Sequence, residues 1–340
     1  MARMRIALFV SSADSGELRV FYLDETTGGL DEVQCLSLGG QIMPLALSPD
    51  RRFLYAARRT DPMQALSFAV DASSGRLTPI GAAALPHSMA NIATDRTGRF
   101  LFSASYGGDL VAVSPIGEDG VVGDAQQVIP TGPKAHCIQA SPSNRWVFAT
   151  SLGGEVVMQF RFDAATGALT ANDPPALRPH DGASPRHFVF SHDARFVYLL
   201  NELDATIDVL SFDDARGLLQ PLQTVSSLPE GVKEEPWAAD LHLSPDGRFL
   251  YSSERRSATL ACFAVDPDSG LLSFLRHADT ESQPRGFALT ADGRYLVSAG
   301  QTSHHLEVYA VNAASGALSP VSRTPAGRGP NWVETIALLD

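Results

Sequence analysis

Three residues able to move a proton or hold an anion occupy one repeated position in this chain. His136, Arg186 and Arg285 each lie nine residues before an arginine that opens an aromatic-aliphatic phrase, namely Arg145-Trp146-Val147-Phe148, Arg195-Phe196-Val197-Tyr198 and Arg294-Tyr295-Leu296-Val297. A second repeated position, seven residues after such an arginine, holds Arg59, Tyr106, Glu202, Arg255 and Gln301. Histidine titrates near neutrality and shuttles protons. A guanidinium grips a carboxylate or phosphate in a planar fork, and it can stabilise the charge that grows on a carbonyl oxygen during acyl transfer. A glutamate among cations stays ionised, so Glu202 is suited to orienting water or fixing one tautomer of His136. The set suits attack on, or proton transfer at, a substrate that carries an anion.

The elements that must position these residues follow from the repeat. The phrase recurs from Arg52, Arg99, Arg145, Arg195, Arg248 and Arg294, with a weaker copy, Arg5-Ile6-Ala7-Leu8, before them, at gaps of 47, 47, 46, 50, 53 and 46 residues. A second mark follows each arginine after 21 to 23 residues, a turn glycine at 28, 75, 120, 167, 217, 270 and 316. Repeats of this length, built of short strands, predict a seven-bladed β-propeller of four-stranded blades, spanning residues 1–340 as a single all-β domain. The N-terminus begins at a second strand and the C-terminus ends on an unpaired first strand, Trp332 to Leu338. The expectation is that this strand completes the first blade and closes the ring, removing two exposed edges.

The position nine residues upstream starts the innermost strand, and the position seven downstream ends the next, antiparallel one. Both therefore fall on one face of the ring. The extra residues of the two longest repeats lie within 171–185 and 222–238, linkers on that same face, where insertions mark a binding surface. His187 should point to the other side of its strand from Arg186 and be structural. His242, between Leu241 and Leu243, reads as packing. His304 and His305 read as a solvated loop, and the phrase arginines as structural.

Composition excludes several classes. Mean hydropathy is near zero and 44% of residues are hydrophobic, as in a globular chain with ample core. The net charge of −12 argues against nucleic acid or anionic membranes as partners. The N-terminal apolar run stops at Val10, too short for a leader or a span, so a cytoplasmic location is expected. Three widely spaced cysteines define neither a disulfide framework nor a metal motif. Phosphate-loop, nucleophile-elbow and zinc-helix motifs are absent, so no cofactor or metal is expected.

The segments Ala135-His136, Ser184-Pro185-Arg186-His187, Asn201-Glu202-Leu203, Ala239-Asp240-Leu241-His242, Pro284-Arg285-Gly286-Phe287 and Gly300-Gln301 resemble the seven-bladed lactonase family. That family includes bacterial 6-phosphogluconolactonases and fungal 3-carboxymuconate lactonizing enzymes. The resemblance runs over essentially the whole chain. It implies that His136, Arg186 and Glu202 are active-site residues and that Arg285 contacts an anion. It implies a hydrolase opening a small anionic sugar-acid lactone, of the 6-phosphogluconolactone or aldarolactone type. A muconate-type cycloisomerase and a non-enzymatic interaction scaffold are the alternatives. Arg255, Arg59, Tyr106 and Gln301 are the further substrate-binding candidates. One departure bears on the substrate. The fifth-blade strand end reads Ser253-Glu254-Arg255-Arg256 rather than the frequent Ser-Asn-Arg, which sets a carboxylate near the mouth and weighs against a phosphorylated ligand.

Overall fold

Each turn of the repeat folds into a four-stranded antiparallel sheet, and seven such sheets make up the computed structural model, which describes residues 5–338. No helix occurs among the described residues, and none is therefore long and apolar enough to cross a membrane. Blade 1 is assembled from both ends of the chain. Its inner strand, Pro330–Ala337, pairs antiparallel with Ile6–Ser12, followed outward by Glu17–Leu23 and Leu30–Ser37. The ring thus closes as expected, with Phe9 opposite Glu334 and Val10 opposite Val333.

The two sequence marks have one structural cause. The glycine of each blade after the second packs on the aromatic residue that opens the phrase of the blade before it. A Cβ on Gly120 would sit 2.2 Å from the Phe53 ring, one on Gly167 2.3 Å from Phe100, and one on Gly217 2.2 Å from Trp146. These glycines also hold a φ of 70–79°, where side chains are strained. The phrase arginines clasp the same junction. Arg145 donates to the Asp214 carbonyl at 2.7 Å, Arg195 to the Asp268 carbonyl at 2.9 Å and Arg248 to the Ala313 carbonyl at 2.7 Å, each in the next blade. Their recurrence is therefore architectural.

The apolar core is likewise divided among the junctions. Seven clusters of buried side chains each straddle two neighbouring blades, for example Trp146, Phe148, Phe188, Leu199 and Phe212 between blades 4 and 5. Every blade depends on its neighbours to bury its faces, so the ring behaves as one packed body.

Candidate active site at one mouth of the channel

The inner strands do not run as uninterrupted ladders. Register shifts fall between Ala135 and Ile138, Pro185 and His187, Ala238 and Asp240, and Pro284 and Gly286. His136, Arg186, Ala239 and Arg285 occupy these bulges. A bulge takes a residue out of the paired ladder and re-aims its side chain. The amides it leaves are satisfied by hydroxyls from the second strand. Thr150 accepts from Cys137 N–H at 2.9 Å and donates to the Arg186 carbonyl at 2.8 Å, and Ser253 accepts from Asp240 N–H at 3.1 Å. The repeated position thus presents its side chain to the axis from a fixed backbone.

Arg186 and Glu202, from blade 5, form a buried pair, with Arg186 Nε donating to Glu202 Oε2 at 2.6 Å. Arg255 of blade 6 reaches the same oxygen at 3.0 Å. Glu202 Oε1 accepts the indole N–H of Trp237 at 3.2 Å. Burial acts to raise the Glu202 carboxyl, but Arg186 and Arg255 outweigh it and hold the group below its usual range. Arg255 is itself heavily engaged, since it donates to the carbonyls of Trp237 and Ala238 and lies over the Trp237 ring at 3.7 Å.

His136 sits between Tyr106 and His187, with ring centroids 6.1 and 5.1 Å away. Its Nδ1 is buried without a hydrogen-bond partner. Burial, then the positive charge of Arg186 and its neighbours, holds its imidazole well below the usual histidine range. It is therefore neutral at pH 7 and able to accept a proton. Arg285 is pushed down by burial and by Arg186 and Arg59, the signature of like charges gathered without enough anions. Arg59 has a buried, unpartnered Nε and lies 3.5 Å from the Met43 sulfur. The cluster therefore joins His136, Tyr106, Arg186, Glu202, Arg255, Arg285 and Arg59. Gln301 stands at the matching strand end of blade 7, where its amide bonds the Gln283 carbonyl, and no described contact ties its side chain to the cluster.

One reading from sequence changes, and two gain a partner. Glu254 does not face the mouth. It is buried, with Oε1 taking the Trp237 amide at 2.6 Å and Oε2 taking Ser257 at 2.6 Å, so the weight it placed against a phosphorylated ligand falls away. His242 packs as expected, its ring edge-on to Phe287 at 4.8 Å, and it has a second role. It lines a cavity of about 330 Å³ on another part of the channel, with His187, Asp240, Trp332 and Glu334. There Asp240 bridges the two histidines, accepting from His187 at 2.8 Å and His242 at 3.1 Å. His187 is buried as expected, though its partner is this carboxylate. Trp237 was missed. Its signal was weak, a single tryptophan at the end of a long linker. His304 Nδ1 accepts the Gly329 amide at 3.1 Å, and no group of ligands able to hold a metal occurs among the described residues.

A cationic, histidine-centred mouth on a seven-bladed ring defines a lactonase-type propeller, and residues 7–335 match the family model described as lactonase, 7-bladed beta-propeller. The chain belongs to that family. It is 40% identical over 335 residues to the 6-phosphogluconolactonase of Pectobacterium carotovorum, covering 98% of this chain and 100% of the relative. It is 38% identical to the 6-phosphogluconolactonase of Serratia proteamaculans, with the same coverage. Among solved structures, the Pseudomonas aeruginosa periplasmic gluconolactonase superposes with a TM-score of 0.92 at 30% identity, over 98% of this chain and 100% of that one.

Proposed function

We propose that this protein hydrolyses a sugar-acid lactone bearing an anionic group, with 6-phosphogluconolactone the foremost substrate. The observation that carries the reading is the charge of the mouth. The guanidinium groups of Arg186, Arg285 and Arg255 act on a neutral histidine, Arg59 acts on Arg285, and Glu202 is the carboxylate paired with Arg186 and Arg255. Such a site calls for an anion beside a group that develops negative charge. Full-length similarity to proteins named 6-phosphogluconolactonase supports the same reading.

His136 acts as general base and takes a proton from water. The water oxygen bonds to the lactone carbonyl carbon, while Arg186 and Arg285 stabilise the charge on the carbonyl oxygen. The ring C–O bond then breaks, and the imidazolium returns its proton to the departing alkoxide, giving a hydroxyl and a free acid. Glu202, with both oxygens occupied, holds Arg186 and Arg255 in place and does not itself accept the proton. Arg59 serves the distal anion, and Tyr106 walls the imidazole.

A pH-stat assay tests this with 6-phosphogluconolactone, gluconolactone, a glucaro- or galactarolactone and a carboxymuconate, each corrected for spontaneous hydrolysis. The expected result is fastest turnover of the phosphorylated lactone. Turnover of the carboxymuconate alone would establish the cycloisomerase alternative, and no turnover above background would overturn the enzymatic reading.

A further inference from the structure

Trp237 ends the long linker between blades 5 and 6, just before the inner strand Ala238–Leu243. It meets the cationic cluster in several ways at once. Its indole N–H donates to Glu202 Oε1 at 3.2 Å, and its carbonyl accepts from Arg255 Nε at 3.0 Å. Its ring lies under the Arg255 guanidinium at 3.7 Å and within 4.9 Å of Arg256. Its own amide is held by Glu254 Oε1 at 2.6 Å, which anchors the residue from behind.

Each contact removes a freedom that a cationic site cannot tolerate. Glu202 Oε2 is shared by Arg186 and Arg255. Without Trp237, Oε1 would be left to swing toward Arg285 and compete with an anionic substrate. Arg255, without the ring beneath it and the carbonyl at Nε, would be free to enter the mouth. With Trp237 in place, Arg186 keeps Nε on Glu202 and has a buried Nη1 with no protein partner. We propose that Trp237 is a positioning residue of this site, locking Glu202 and Arg255 together so that Arg186 and Arg285 alone face the lactone carbonyl. The inference rests on the lactonase reading for its kinetic form, while its anion-binding form does not need turnover.

Two variants separate its parts. Trp237→Phe keeps a ring under Arg255 and loses the N–H donor to Glu202. Trp237→Leu loses both. Loss of a hydrogen bond to a charged group corresponds to about a tenfold effect. The expected result for Trp237→Phe is a kcat about tenfold lower, with KM within about twofold of the parent. Trp237→Leu should in addition raise KM about tenfold as Arg255 and Glu202 come loose. Rates are referred to folded protein, measured by circular dichroism in parallel. A Trp237→Phe enzyme with parental kcat overturns the proposal, whatever its Tm, and decides the matter alone if Trp237→Leu does not fold. If the parent turns over no lactone, the functional reading fails instead. The positioning role is then read by calorimetry with inorganic phosphate, where about tenfold weaker binding to Trp237→Leu is expected. Equal affinity, or no binding to either protein, overturns it.

Discussion

At the scale of single residues, the site divides labour between groups that are held and groups that are free. Glu202 and Arg255 are saturated by their neighbours, whereas His136 Nδ1, Arg186 Nη1 and Arg59 Nε lack protein partners. Arg186→Lys keeps the charge but loses the Nε–H that pairs with Glu202 together with the planar fork. Its expected kcat/KM is lower by about 10² or more, in a protein that stays folded. His136→Ala should lower kcat by about 10², measured against the uncatalysed rate. The pH dependence follows from the same group. Burial and Arg186 place the His136 imidazole below its usual 6.5, so the base is already neutral at pH 7. The rate of the free enzyme should hold constant from pH 7 upward through mild alkali, and fall only as acidification passes below pH 6.5 and protonates His136. A kcat/KM that falls between pH 8 and 7 would contradict this assignment.

At the scale of elements, the bulged inner strand is the device that turns a structural repeat into a site. Every such strand keeps an apolar residue two places after the bulge position, as with Ile138, Phe188, Leu241 and Phe287, all buried. The polar heads therefore stand on a foundation common to the whole ring. The closing strand Pro330–Ala337 carries its own titration. Burial pushes the Glu334 carboxyl up to about 7, against the opposing influence of Trp332, which donates to it at 2.9 Å, and of His242. A carboxyl whose folded value is raised contributes most below its unfolded value of 4.5, and that contribution is lost as pH rises toward 7. Glu334→Gln keeps an acceptor for Trp332 and removes the titration. Its expected Tm equals that of the parent at pH 4.5 and exceeds it at pH 8, as scanning calorimetry would show.

At the scale of the whole molecule, stability belongs to the junctions and to closure. Gly217→Ala places a methyl against the Trp146 ring at a φ of 70°, so overpacking and backbone strain act together. The expected loss is about 2–4 kcal/mol in urea unfolding. Removing residues 331–340 strips nearly all of the inner strand from blade 1 and opens the edge of Ile6–Ser12 and the flank of blade 7. That protein should be aggregated or unfolded on size exclusion, since a strand edge and two core clusters are exposed together. A folded monomer with parental Tm would show that the ring does not depend on its closing strand.

The amino-acid sequence by itself determined the number of blades, the closure of the ring and the face on which the polar positions fall. Those properties are local and repeated: the aromatic after a phrase arginine and the turn glycine of the following repeat meet at the junctions from blade 2 onward, as Phe53 and Gly120 or Trp146 and Gly217 do, so their period reports the fold directly. The candidates His136, Arg186 and Arg285 were legible for the same reason, as departures from an otherwise apolar or small residue at a fixed register, and Glu202 as the one carboxylate at a second, largely polar register. Which groups touch depends on the folded ring. The turning inward of Glu254, the saturation of Glu202, the entry of Trp237 and the bridging of His187 and His242 by Asp240 all join residues of different strands or blades. Their geometry depends on bulges that break the two-residue alternation and on linkers without periodic pattern. Strand periodicity assigns a side to each residue of a regular strand, but it carries no information on how far a side chain reaches across the channel or which neighbour meets it there.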